Sequence, residues 1–122
     1  MSAAQVELIL LITGLATAGA AALALAPVPV MRLIFGQSPA DPLGRNIVRH
    51  WGLLIFLVGG LIVYAAYHPE IRVPTLIVGV VEKAALVIGI LISPLRGRPA
   101  ALVVALADAG MAALYVAVLA GL

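Results

Sequence analysis

The stretch TLIVGVVEKAALVIGILIS, residues 75–93, decides how this chain is read. Apart from Glu82 and Lys83 near its middle it is apolar or small throughout, and Pro74 and Pro94 bracket it. A helix rises about 1.5 Å per residue, so about 20 such residues match a hydrocarbon core about 30 Å thick. The stretch is therefore expected to be a membrane-spanning helix. A charge at the bilayer centre costs at least about 2.5–3.5 kcal/mol, so two adjacent charges there require partners, a water-filled cavity or a task.

The rest of the sequence agrees with that reading. Of 122 residues, 65% are hydrophobic and 10% charged, against about 45–50% and about 25% in an average soluble domain. The composition implies one membrane domain without a soluble module. The net charge of +2 comes from six arginines and Lys83 set against five acids. It is too small and too scattered to suggest nucleic acid as a partner. With no cysteine, disulfides, thiolate metal sites and a cysteine nucleophile are excluded.

Three further apolar runs complete the pattern. The first covers residues 6–26 and ends at Pro27 and Pro29, which break helical hydrogen bonding. Ala24-Leu25-Ala26 resembles a signal-peptide cleavage site, but Met1–Glu7 has no basic residue and Pro27 follows directly. The run is expected to be retained as a span. Thr13, Gly14, Thr17, Ala18, Ala21 and Ala22 give it small faces suited to close helix packing. The others are residues 46–67 and 100–122; Trp51 at one end of the second, with Tyr64 and Tyr67 at the other, reads as interfacial aromatic belts. Between spans one and two, Val28–Phe35 is apolar around Arg32. It is too short to span and is expected to be an interfacial or re-entrant helix. The predicted fold is thus an all-α integral membrane protein, an antiparallel four-transmembrane-helix bundle with a short interfacial helix between spans 1 and 2. Arg32, Arg45, Arg49, Arg96 and Arg98 lie on one side and Arg72 alone on the other. That bias predicts cytoplasmic basic loops and both termini outside.

Helix rise also sets the depth of the buried charges. Glu82 is seven residues inside Thr75, about 10 Å below one edge of the core. Asp108 is eight residues inside Ala100, about 12 Å from the opposite edge. Lys83 is then at a depth from which it reaches Asp108, leaving Glu82 near the level of Tyr115. Adjacent helical positions diverge by about 100°, so Glu82 and Lys83 face different surroundings. The candidate site is a polar-lined pocket in the outer or middle half of the bundle. Glu82, Asp108 and Lys83 are its candidate acid/base and charge-stabilising groups, and Tyr115, Arg49, His50 and Tyr64 its candidate ligand contacts. No metal-ligand spacing, phosphate loop or nucleophile elbow is present, and neither a metal nor a cofactor is expected.

Arg49-His50-Trp51-Gly52, Val81-Glu82-Lys83 and Ala107-Asp108-Ala109-Gly110 resemble small bacterial four-helix membrane proteins of the DoxX-like and DUF4345 type. The resemblance covers the last three spans. It implies a four-helix bundle in the bacterial inner membrane, associated with redox or lipophilic small-molecule metabolism. The absence of cysteine separates the chain from thiol oxidoreductases.

Three functions compete at this point. The first is binding of a lipophilic small molecule in the intramembrane pocket, with acid/base chemistry of the isomerase, cyclase or epoxide-opening type as its enzymatic form. The second is a non-enzymatic accessory or assembly subunit, its charges paired with a membrane partner or across a homo-oligomer. The third is a proton-linked small transporter, weakened by the lack of internal repeats. Membrane lipids are partners in all three.

Overall fold

The computed structural model describes residues 1–121; Leu122, last in the expected fourth span, lies outside them. The described residues form six α-helices and no strand: α1 (Ala3–Ala18), α2 (Ala21–Leu25), α3 (Pro27–Phe35), α4 (Pro42–Tyr67), α5 (Arg72–Leu91) and α6 (Pro99–Leu119). Four helical segments among them are long and apolar enough to cross a membrane: Ala3–Leu25, Pro42–Tyr67, Pro69–Leu91 and Pro99–Leu119.

The first apolar run is not one uninterrupted helix. At Gly19 and Ala20 ψ falls to −18° and −12°, and Ala20 N–H bonds to Thr17 O, three residues back. The turn tightens toward 3-10 geometry. Just before it, the hydroxyls of Thr13 and Thr17 donate to Ile9 O and Thr13 O, a back-bonding that bends helices.

α1 and α2 pack along α4. The buried residues of α4 include Val48, Gly52, Ile55, Gly59, Ile62 and Ala66, spaced alternately four and three apart, a seam with the 3.5-residue period of packed helices. Two glycines set the distance. A Cβ on Gly59 would lie 2.7 Å from Gly14 O and 2.8 Å from Ala18 Cα, and one on Gly52 would lie 2.7 Å from Leu23 Cβ. The small-residue face of the first run is thus where the two backbones meet.

Prolines and arginines shape the helix ends. Ala26 leaves helical geometry at φ −141°, and α3 restarts with Pro27 at its first position, where a missing N–H costs nothing. The helix ends at Gly36, φ +74°, in the left-handed region that glycine tolerates. The Arg98 guanidinium packs against Gly36 and donates to Ile34 O at 3.4 Å, tying α3 to the start of α6. Arg72 turns back onto α4 and donates to Ala65 O and Ala66 O, each at 3.1 Å. A cation thus satisfies the final carbonyls of that helix.

The interior is layered. Leu10, Ile62, Ala65, Ala66, Leu76 and Tyr115 form one apolar cluster, and Phe35, Ile90, Ala101 and Ala105 another. Along α5, Leu76 belongs to the first, Ile90 to the second, and buried Lys83 stands seven residues from each. The charged groups occupy the level between the two apolar layers.

Candidate functional site

Helical spacing explains how α5 divides its two adjacent charges. Leu76, Gly79, Lys83 and Ile90 are buried on one face, so Lys83 occupies a core position of that face and is only 1% exposed. Glu82 lies about 100° around the helix and faces the gap between α4 and α5. On α6, Ala101, Ala105 and Tyr115 are buried, and Asp108 falls on the same seam. Packing therefore aims Lys83 and Asp108 at one another.

The Lys83 ammonium donates to Thr17 Oγ1 at 2.9 Å and to Asp108 Oδ1 at 3.3 Å. Glu82 Oε2 is 3.7 Å from the same nitrogen, within reach of its charge but beyond hydrogen-bond range. The Thr17 hydroxyl donates its own hydrogen bond to Thr13 O at 2.7 Å, which leaves its oxygen free to accept from the lysine. The side chains of Glu82 and Asp108 retain 17% and 13% exposure, while Glu82 Oε2 itself is buried without a hydrogen-bond partner.

Two cavities meet at these residues. The larger, about 810 Å³, is walled by Met31, Phe35 and Pro39, by Trp51, Leu54, Ile55 and Val58 of α4, and by Glu82, Ala85, Leu86, Gly89 and Ile90 of α5. The α4 set is spaced three, four and seven from Trp51 and the α5 set three, four, seven and eight from Glu82, so each is one helix face. Gln37 and Ser38 supply polar groups at the end covered by the α3–α4 connection, and Glu82 is the one charged residue in the wall. Leu54, Ala85 and Gly89 are exposed, so the cavity opens sideways between α4 and α5. The smaller cavity, about 230 Å³, lies among α1, α2, α3 and α6 and is lined by Thr17, Lys83 and Asp108 with apolar neighbours. Phe35, Trp51, Ile55, Glu82 and Leu86 border both. The Phe35 and Trp51 rings, 6.5 Å apart and tilted by 37°, stand between the two spaces.

The sequence-derived candidates divide accordingly. Glu82, Lys83 and Asp108 come together. Tyr115 does not join them: fully buried in the other apolar cluster, it places its hydroxyl near Thr13 and Thr17 without a hydrogen bond to either, and it lines neither cavity. Arg49 and His50 are exposed and line neither. Tyr64 stacks on His68 at 3.8 Å between ring centroids, also away from both. The main cavity lies toward the end that carries α3 and Leu95, the side of the five arginines, and its walls are apolar except at Glu82, Gln37 and Ser38. Its walls come mainly from apolar side chains of α3, α4 and α5.

Thr17, Phe35 and Trp51 escaped the sequence reading. Thr17 was hidden in a ladder of small residues whose other members do form a helix seam. Trp51 was assigned to an aromatic belt, although its spacing to Leu54, Ile55 and Val58 already placed it on a common face. Among the described residues, no group of three or more His, Cys, Asp or Glu is arranged to hold a metal ion. Comparison of the chain with family models, curated proteins and solved structures finds no match.

Proposed function

We propose that the chain is a multi-pass membrane protein that holds a lipophilic small molecule between α3, α4 and α5, with the Glu82 carboxylate as its polar contact. One observation carries this reading: an apolar cavity of about 810 Å³ that contains a single charged side chain. Ligand pockets typically measure about 300–1,000 Å³ and combine apolar walls with a few convergent polar groups. The lateral opening gives a molecule dissolved in the bilayer a direct path in. The proposal places the four long helices antiparallel across the bacterial inner membrane, basic loops cytoplasmic and both termini outside. Support for insertion comes from the outward faces, where Leu15, Leu25, Leu33, Ile92, Val103 and Leu106 are each more than 60% exposed, a surface suited to lipid and not to water. The charge bias of the loops supports the orientation, and the resemblance to DoxX-like bundles supports the host membrane. Proton exchange with the bound molecule, in an enzymatic form of this function, falls to Glu82, since Asp108 and Lys83 neutralise each other.

Native mass spectrometry of the protein released from mild detergent tests the reading. A retained lipophilic molecule is expected, and Gly89→Phe should reduce it. Gly89 lines the cavity and a Cβ there meets nothing within 4 Å, so the ring has room to narrow the cavity without displacing a helix. Wild-type protein that carries no such molecule, or a Gly89→Phe variant that retains it undiminished, overturns the proposal.

A further inference from the structure

The charges around the cavity do not balance. Two carboxylates, Glu82 and Asp108, face one ammonium, Lys83, and no other Lys, Arg or His lines either cavity among the described residues. The lysine's hydrogen bonds go to Asp108 and Thr17, and Glu82 receives only its more distant field at 3.7 Å. With all three groups ionised, one negative charge is left over, on the residue that lines the larger cavity. An ionised carboxylate in apolar surroundings is costly unless a proton or a cation joins it.

The walls beside Glu82 favour a cation. Trp51 and Phe35 border the same space, and aromatic faces attract cations, indole most strongly. A carboxylate and aromatic rings in a cavity that is apolar apart from Gln37 and Ser38 match a molecule with a greasy body and one positive charge. An anionic or phosphate-bearing head would meet Glu82 with no arginine or lysine in the cavity wall to offset the repulsion.

On the reading that this cavity binds a lipophilic molecule, we propose that its ligand is a lipophilic monocation, an organic ammonium or its equivalent. The cationic centre rests between the Glu82 carboxylate and the Trp51 ring. Lys83 neutralises Asp108 and so fixes the site's charge deficit at one. The selectivity is for a single positive charge.

Trp51 is the only tryptophan in the chain and borders both cavities, so its fluorescence reports a molecule that enters either, and the Glu82→Gln arm shows whether that molecule meets the carboxylate. The experiment titrates the protein in dodecyl maltoside micelles with tetraphenylphosphonium, its anionic counterpart tetraphenylborate, and neutral triphenylmethane. Tetraphenylphosphonium is expected to shift Trp51 emission saturably and to bind about tenfold or more tightly than tetraphenylborate, as expected for a desolvated charge pair. Glu82→Gln should remove that preference while leaving triphenylmethane binding intact, which also shows that the variant is folded. Asp108→Asn should weaken the cation in the same way, because Lys83 then neutralises Glu82. Equal binding of all three probes, or a cation preference that survives Glu82→Gln, overturns the monocation assignment and leaves the lipophilic cavity standing. Failure of every probe to perturb Trp51 overturns the cavity reading as well.

Discussion

Lys83 and Asp108, 25 residues apart in the chain, meet with 3.3 Å between Nζ and Oδ1, at the level where two apolar layers of the bundle join. The lysine is 1% exposed. A buried ion pair adds little net stability over apolar residues of the same shape, but breaking one by removing a single partner costs about 3–5 kcal/mol. Lys83→Met should therefore lower stability by about that amount, since it leaves Asp108 and Glu82 without a cation. Lys83→Met combined with Asp108→Asn should recover most of the loss. Thermal unfolding in dodecyl maltoside, followed by circular dichroism, measures both, and a double variant no more stable than the single would contradict the pairing.

Thr17 holds the lysine from the other side, at 2.9 Å. Thr17→Val keeps the shape and deletes the acceptor, and should cost about 1–2 kcal/mol, the loss of a hydrogen bond to a buried charged group. Thr17→Ser should stay close to wild type in the same melting assay. Equal melting of the valine and serine variants would remove the hydroxyl from the account.

Gly59 and Gly60 are adjacent in sequence and opposite in role. A Cβ at Gly59 would collide with backbone atoms of Ala18 and Gly14, whereas one at Gly60 meets nothing within 4 Å. Gly59→Ala should destabilise by about 1–3 kcal/mol through overpacking. Gly60→Ala should be neutral or slightly stabilising, alanine being the better helix former by up to about 1 kcal/mol. Matching losses at both positions would rule out the α1–α4 approach as the cause.

Tyr115 should prove structural. Its ring is buried in the apolar cluster, packs near Gly79 and carries a hydroxyl with no hydrogen-bond partner. Removing an unsatisfied buried polar group is neutral or favourable by up to about 1 kcal/mol, so Tyr115→Phe should melt at or above the wild-type temperature. Because Tyr115 lines neither cavity, the variant should also keep wild-type tetraphenylphosphonium affinity. A weakened affinity would return Tyr115 to the site.

Much of the local architecture was legible in the sequence because it depends on local rules. Apolar length marked the four long helices and Pro27 the end of the first. But α4 starts at Pro42 and α5 at Arg72, ahead of the expected starts at residues 46 and 75, and α5 runs through Pro74, because proline is tolerated in the first turn of a helix. Depth along a helix is one-dimensional, so rise per residue was enough to bring Lys83 to Asp108. The tightened turn at Gly19–Ala20 was less legible, since an alanine-rich run carries no sign of a local change in ψ.

What sequence alone determined is the order of the long helices and the levels of their charged residues. Both follow from backbone hydrogen bonding and the cost of charge among apolar side chains, which act along one segment at a time. Only the tertiary structure decided which way each residue at a given level faces. Tyr115 lies two turns from Asp108 on the same seam, yet packing seals it into the apolar layer, and Arg49 and His50 stay outside because the α4 seam runs through Val48 and Gly52. The cavity is walled jointly by residues of α3, α4 and α5, a relation among three helices that no single segment encodes. That shared wall gives Glu82 an apolar space to face, with its oxygen left without a partner.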